Sequence, residues 1–455
     1  MPTAGGGNAS VLRWLSRGTS IAAIVLIAVT WRMWIPQSRF PQIPLLAVAG
    51  RLPLWVESAA GFTMIAALCT VFVCSSISRA GQTALLLFVA SVTILVAVDQ
   101  HRLQTWTWQF LLIAWVLAMA DDRQVVGLLQ WLTVSIYMYS ALSKLDVSFI
   151  SGEGQQILSG LLHSIGLSIT GWPGPVRRIV TAGMPVGELL VAVGLCLRKT
   201  RRTGLVAAVA MHAILFLALG PWGLHHKPGV LIWNVYFAMQ DLLLFAHRPL
   251  MPIKEAWSLS IGRFLARRRT DLATPQTAAV RENGFAGTAE AETDEPARSH
   301  RRSSRAAEIV VLAAILLPLL APFGWCDQWP AWGLYASAPE RMTVFLRRSE
   351  RKRLPGPIRC HVEEPRPLYS WCRLRIDRWS LDAVGAPLYP QNRFRAGVAL
   401  AVAERYHLGS AIRVVVESAA NRWTGRRTVR IISGEADLRE LSTEFFLNAQ
   451  PRSLR

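Results

Sequence analysis

The sequence predicts a mainly α protein: a polytopic transmembrane helical bundle of about nine spans with a small C-terminal α+β domain outside the membrane. Three observations predict it. Hydrophobic residues make up 52% of the 455 residues and charged residues only 17%, against about 25% charged in ordinary soluble proteins. Apolar stretches of spanning length recur up to residue 325, and beyond it the pattern changes to short alternating runs. The mean hydropathy of +0.31 agrees. A disordered chain, a disulfide-stapled mini-protein and an ordinary cytosolic enzyme are excluded on composition.

The apolar stretches lie at roughly 19–36, 53–76, 82–98, 106–120, 124–143, 179–197, 203–220, 229–246 and 307–325. A span needs about 20 apolar residues. The first has a basic front, Arg13 and Arg17, with no small-residue cleavage site after it. It reads as a retained anchor helix. Residues 1–246 thus form the bundle.

Orientation follows from the loops. The run Arg198-Lys199-Thr200-Arg201-Arg202 is the densest short basic cluster, and the segment 247–306 is also Arg-rich. Two spans separate them, so both belong on one side, and the positive-inside rule makes it the cytoplasm. Counting spans puts the N-terminus in the cytoplasm and residues 326–455 outside an inner membrane. The formal charge is +20, from 49 basic and 29 acidic residues. Lysine is confined to positions 144, 199, 227, 254 and 352. Arg clusters beside apolar segments suit anionic headgroups, so no nucleic-acid partner is expected.

Residues 247–306 read as a cytoplasmic linker. Trp257, Ile261, Phe264 and Leu265 fall at helical spacing ahead of Arg267-Arg268-Arg269, which suits a helix lying on the inner leaflet. The rest has few large apolar residues and reads as disordered. Residues 307–325 are the last span. In 326–455, Met342–Leu346, Trp371–Ile376, Ile412–Glu417 and Thr428–Ile432 read as strands, and Arg393–Tyr406 as a helix. The Trp/Arg-bearing runs 329–337, 377–393 and 421–427 read as turns locked by stacking, ahead of a sugar- or headgroup-binding face. Of six cysteines, Cys69, Cys74 and Cys196 sit in apolar runs. Cys326, Cys360 and Cys372 are free to pair in an oxidising compartment. No CxxC pair and no metal-spaced cluster occurs, so no metal is expected.

Ionisable residues within a membrane mark function or internal pairing. Glu188 and His212 sit near the middle of consecutive antiparallel spans, at equal depth. They read either as a proton-handling or ligand-binding pair, or as a structural pair bonded only to each other. Gln240 and Asp241 fall late in their span and read as interfacial. His225-His226-Lys227 is an outer loop in which adjacent side chains diverge. The richest stretch runs Tyr137-Met138-Tyr139-Ser140-Ala141-Leu142-Ser143-Lys144-Leu145-Asp146. At a span terminus Lys144 would snorkel to the headgroups; facing a closed apolar pocket it would act as a base. Asp99-Gln100-His101-Arg102, on the same outer side, either holds an anion or polar headgroup or is a solvated connector.

The run YMYSALSKLDVSFISG resembles the segment of vitamin K-dependent γ-carboxylases and their bacterial relatives, the HTTM membrane domain, that carries a Lys-Leu pair after an aromatic and small-residue helix. The Glu188 helix, the basic turn, the His212 helix and GVLIWNVYFAMQDLLLF look like its next parts, so the resemblance covers about 80–247. It implies a reduced, vitamin K-like quinone as cofactor, Lys144 as the base, and His212 and Glu188 assisting. Asp99, His101, Arg102, Tyr137 and Asp146 complete the expected ligand site. The outer domain would meet a protein substrate or an envelope partner. The alternative is a non-catalytic lipid- or quinone-binding scaffold that presents that domain. A transporter is disfavoured because no inverted repeat occurs.

Overall fold

In hydrocarbon no water can satisfy backbone polar groups, so the long apolar runs must become helices, and they do. The computed structural model describes residues 4–246, 248, 250–257, 295–364 and 367–452. The helices in chain order are α1 (Ala4–Val29), α2 (Trp31–Trp34), α3 (Leu54–Cys74), α4 (Arg79–Val98), α5 (Thr105–Met119), α6 (Asp122–Leu142), α7 (Val147–Ser151), α8 (Glu153–Ser164), α9 (Gly174–Cys196), α10 (Arg201–Leu219), α11 (Pro228–Phe245), α12 (Ile253–Ala256) and α13 (Glu295–Leu316). Among the described residues, eight helices are long and apolar enough to cross a membrane. They are α1, α3, α4, α6, α9, α10, α11 and the end of α13 with its continuation to Phe323. The chain is an integral membrane protein in which the fourth of the nine apolar stretches, α5, is only 15 residues long. α5 packs against α1, α4, α6 and α13. Enclosed by protein rather than lipid, it is freed from the length a span requires.

Three boundaries differ from expectation. α1 takes Arg13 and Arg17 into the helix and ends at Val29. α13 begins at Glu295, inside the segment read as disordered; EPARSHRRSSRAAE combines an early Pro with good helix formers. The helices α7 and α8 occupy a stretch with no expected element; α8 crosses α10. The proposed interfacial helix at 254–269 falls mostly outside the described residues.

The basic turn between α9 and α10 is held by two glycines. A Cβ on Gly204 would lie 2.7 Å from the Gly194 carbonyl carbon. Only Gly permits that approach, the small-residue packing usual between membrane helices.

The C-terminal domain holds an antiparallel sheet of order β2-β1-β3-β4: β1 Arg341–Arg347, β2 Trp371–Leu374, β3 Ile412–Glu417 and β4 Val429–Ser433. Val344 faces Leu374 on one side and Val414 on the other, and Val414 faces Ile432. All four are buried, so one face of the sheet is core. The helix Asn392–Arg405 packs against β1 and β3. The expected strands and helix are present to within a residue or two. The short helices at 376–384 and 435–443 were not expected. The Trp371 ring has the guanidinium of Arg413 at 4.2 Å and that of Arg347 at 5.6 Å from its centre. Trp379 instead packs on Phe40 of the membrane half, and Trp423 is exposed. Cys326, Cys360 and Cys372 are free thiols.

This domain sits on the helix ends reached by the loops after α1, α4, α6 and α10. Arg452 Nη1 is 2.5 Å from Glu57 Oε2 and 2.9 Å from Gln42 Oε1. Arg102 binds the other oxygen of Glu57. Arg393 donates to Gln100 Oε1 at 2.7 Å, and Gln100 donates to Asn448 C=O at 2.7 Å. The basic turn lies at the opposite ends of α9 and α10.

Candidate functional site

Four of the eight expected site residues converge. Tyr137, Lys144, Glu188 and His212 line one cavity of about 550 Å³ among α6, α8, α9, α10 and α11. Most of its wall is apolar: Ile136, Phe149, Ile157, Leu161, Met184, Val191, Met211, Leu215 and Phe237. Gly183 and Gly187 line it on α9, and nothing lies within 4 Å of where a Cβ would stand on either. Between them Pro185 removes one helical hydrogen bond, three residues before Glu188.

Lys144 does not snorkel. Its Nζ lies 2.8 Å from Glu188 Oε2 and 2.7 Å from Ser140 Oγ, and both charged side chains are 12% exposed. Ser140 is one helical turn before Lys144 and faces the same way. Glu188 therefore meets Lys144, not His212. Equal depth fixes height along each helix but not which face each presents.

His212 sits in a second polar string. Its Nε2 lies 2.8 Å from Tyr137 Oη, and its Nδ1 lies 2.9 Å from Asn234 Oδ1. Tyr137 Oη lies 2.5 Å from Asp241 Oδ2. Asp241 is fully buried, so its reading as an interfacial residue is corrected: α11 turns it toward α6. Asn234, Phe237 and Asp241 occur three and seven residues apart, one face of α11. That spacing was the available signal for a site sequence reasoning missed. Gln240, on the neighbouring face, donates to Thr133 at 2.9 Å and accepts from Gln109 at 2.9 Å.

The other four expected residues lie elsewhere. Asp99, His101 and Arg102 are each at most 2% exposed and do not line the cavity. Asp99 Oδ1 accepts from the backbone N–H of His101 at 3.1 Å and of Ile43 at 3.4 Å. His101 Nε2 lies 2.9 Å from Pro387 C=O and 3.1 Å from Ser380 Oγ. Arg102 donates to Met33 C=O at 2.7 Å and to Glu57. The turn joins the membrane half to the C-terminal domain and is buried, not a solvated connector. Burial lowers the His101 pKa to about 4 and raises that of Asp99 to about 6. Asp146 caps α7, accepting from Phe149 N–H at 2.9 Å, and is also off the cavity wall.

The C-terminal domain nevertheless reaches the cavity. Trp332, Leu334 and Tyr335 line it, from the first of the Trp-bearing runs. Trp332 and Tyr335 have positive φ, 61° and 60°. Tyr335 Oη is held by His226 Nδ1 at 3.1 Å. In the third run, Arg422 donates to Leu142 C=O at 2.5 Å and its own carbonyl accepts from Val147 N–H at 2.9 Å. These bonds bracket the turn that carries Lys144.

Among the described residues no group of three or more His, Cys, Asp or Glu is placed to hold a metal ion. A separate groove of about 550 Å³ lies between the 38–42 loop and the helix Asn392–Arg405, and contains none of the expected site residues. No protein-family model, no curated protein and no solved structure matches this chain.

Proposed function

We propose that the protein is a quinol-using membrane enzyme of the γ-carboxylase-like kind its sequence resembles. The cavity would take up the ring of a reduced quinone, and the Lys144–Glu188 pair would receive its hydroxyl proton. One observation carries this reading. A single largely apolar cavity gathers Lys144, Glu188, Tyr137 and His212 from three different helices. Such a wall suits an aromatic ring with few polar points, and its volume fits a drug-sized ring system.

The chain's own residues define what happens there. Ser140 and Glu188 hold Lys144 Nζ at the cavity rather than in the headgroups. The Lys144–Glu188 pair shares one proton and can accept a second, with Lys144 as the base the resemblance implies and Glu188 as its partner. Trp332 and Tyr335 close the outer side and limit water entry. A reduced quinone, when bound, supplies a ring hydroxyl of phenolic acidity and two electrons.

The Arg clusters at the ends away from the C-terminal domain support an inner-membrane orientation with that domain outside. There it would present a protein substrate, or an envelope partner, to the cavity. The test is direct: protein in lipid nanodiscs is given a reduced quinone and labelled bicarbonate, beside Lys144→Ala. Quinone oxidation or label incorporation that Lys144→Ala loses supports the reading. A quinone that binds but is never oxidised would favour the non-catalytic scaffold, a reading also consistent with Lys144 being neutralised by Glu188.

A further inference from the structure

The string Asn234–His212–Tyr137–Asp241 can be hydrogen-bonded throughout in two ways that hold the same number of protons. Asn234 Nδ2 donates to Val230 C=O at 2.8 Å. That backbone carbonyl can only accept, so it sets the amide, and Oδ1 faces His212 Nδ1. His212 Nδ1 must therefore carry a proton and donate. Two contacts remain, His212 Nε2 with Tyr137 Oη and Tyr137 Oη with Asp241 Oδ2. Each needs one proton, and the Tyr137 hydroxyl supplies only one. The second sits at one end or the other. In one form Asp241 is a neutral acid and His212 a neutral imidazole. In the other Asp241 is a carboxylate and His212 an imidazolium. Moving between them shifts one proton from Asp241 to Tyr137 while the Tyr137 proton passes to His212 Nε2. No proton is gained or lost.

The two ends differ in place. His212 and Tyr137 line the cavity, and Asp241 does not. The exchange therefore moves positive charge to the cavity wall and leaves its negative counterpart one residue behind it. Asp241 Oδ1 has no hydrogen-bond partner, which suits the neutral acid better than a buried carboxylate with an unmet oxygen.

We infer that this string is a movable-charge relay that stabilises an anionic oxygen on a hydroxylated aromatic ligand in the cavity. The inference rests on the ring-binding reading above and adds the ligand property being recognised: ionisation inside the membrane. When the ligand hydroxyl gives its proton to the Lys144–Glu188 side, the relay switches to the His212 imidazolium. The new cation then faces the new anion across a medium of low dielectric, where such attraction is strong. His212 need not touch the departing proton, which accords with both of its nitrogens being occupied. The other charged side chains facing this wall, Lys144 and Glu188, form a pair of zero net charge before the transfer and hold the transferred proton after it, so the relay adds a second positive charge beside the anion.

The test uses para-nitrophenol, whose anion is coloured, and nitrobenzene, which cannot ionise, with the full chain in nanodiscs. Bound para-nitrophenol should ionise at lower pH in the wild type than in Asp241→Asn, by at least about tenfold in proton concentration, one pKa unit. Nitrobenzene should bind both proteins equally. Infrared difference spectra between the two bound probes should show loss of a protonated carboxyl band in the wild type that Asp241→Asn lacks. Should Asp241→Asn not fold, Tyr137→Phe removes the bridging hydroxyl and is read the same way. Equal ionisation in wild type and variants, with nitrobenzene bound, overturns the relay and leaves the cavity reading standing. Failure of both probes to bind the wild type overturns the cavity reading, and the relay's role with it.

Discussion

Lys144 Nζ lies 2.8 Å from Glu188 Oε2, and the two side chains bridge α6 and α9 at the wall of an apolar cavity. A lysine at the end of a span has an inexpensive alternative in the headgroups. Its position here is set by its partners, Glu188 and Ser140.

Breaking that pair should therefore cost more than removing it. Glu188→Gln leaves a largely buried ammonium uncompensated, at a cost of roughly 3–5 kcal/mol when a buried pair loses one partner. Glu188→Gln combined with Lys144→Met should recover most of the loss. Thermal unfolding in detergent reads this; a double variant no more stable than the single one would refute the pairing.

The contact between Glu57 and Arg452 predicts a similar penalty at the domain junction. Both side chains are at most 2% exposed, and Arg102 shares the carboxylate. Arg452→Ala should destabilise by a few kcal/mol and expose the C-terminal domain to protease while the membrane half resists. Unchanged cleavage kinetics would show that the junction does not depend on this pair.

Asp99 and His101 oppose each other in pH dependence. Asp99, raised to about 6, binds its proton in the folded state while the unfolded carboxyl is still ionised, so its contribution grows as pH falls from about 6 toward 3.8. His101, lowered to about 4, stays neutral when folded while the unfolded imidazole charges, so its contribution is lost as pH falls from 6.5 to about 4. The two nearly cancel in the wild type. His101→Asn leaves Asp99 alone, and its melting temperature should rise relative to wild type as pH drops from 6 to 4, the window the two groups share. A constant difference across that range would count against this assignment.

The Gly194–Gly204 contact predicts a steric effect with no charge involved. Gly204→Ala places a methyl 2.7 Å from the Gly194 carbonyl carbon. Backbone must move, and overpacking of this kind costs about 1–3 kcal/mol. Gly183→Ala, with nothing within 4 Å of its Cβ, should leave melting nearly unchanged and instead weaken binding of a ring in the cavity.

The spans were legible because hydrocarbon imposes one requirement on every residue in them. The strands of the C-terminal domain were legible through alternation, as in the buried Met342, Val344 and Leu346. Partner choice was not. Glu188 and His212 share a depth, but helix rotation, fixed by packing over the whole bundle, gave Glu188 to Lys144 and His212 to Tyr137. The role of the Asp99–Arg102 turn was hidden for another reason. Its partners lie far along the chain: Pro387 is 286 residues from His101, and Asn448 is 348 from Gln100. Local pattern carries no trace of such pairings. Asp241 was misplaced because counting toward the end of a span measures distance to the interface, not whether neighbouring helices cover the residue.

The Glu57–Arg452 contact joins positions 395 residues apart. During synthesis α3 enters the bilayer long before residue 452 is made. Until then Glu57 has Arg102 but lacks its second guanidinium, and the junction stays open. Completion of the bundle is thereby tied to arrival of the C-terminal domain, so a nascent chain stalled before residue 452 would carry an unfinished polar seam, a target for the membrane's quality-control proteases.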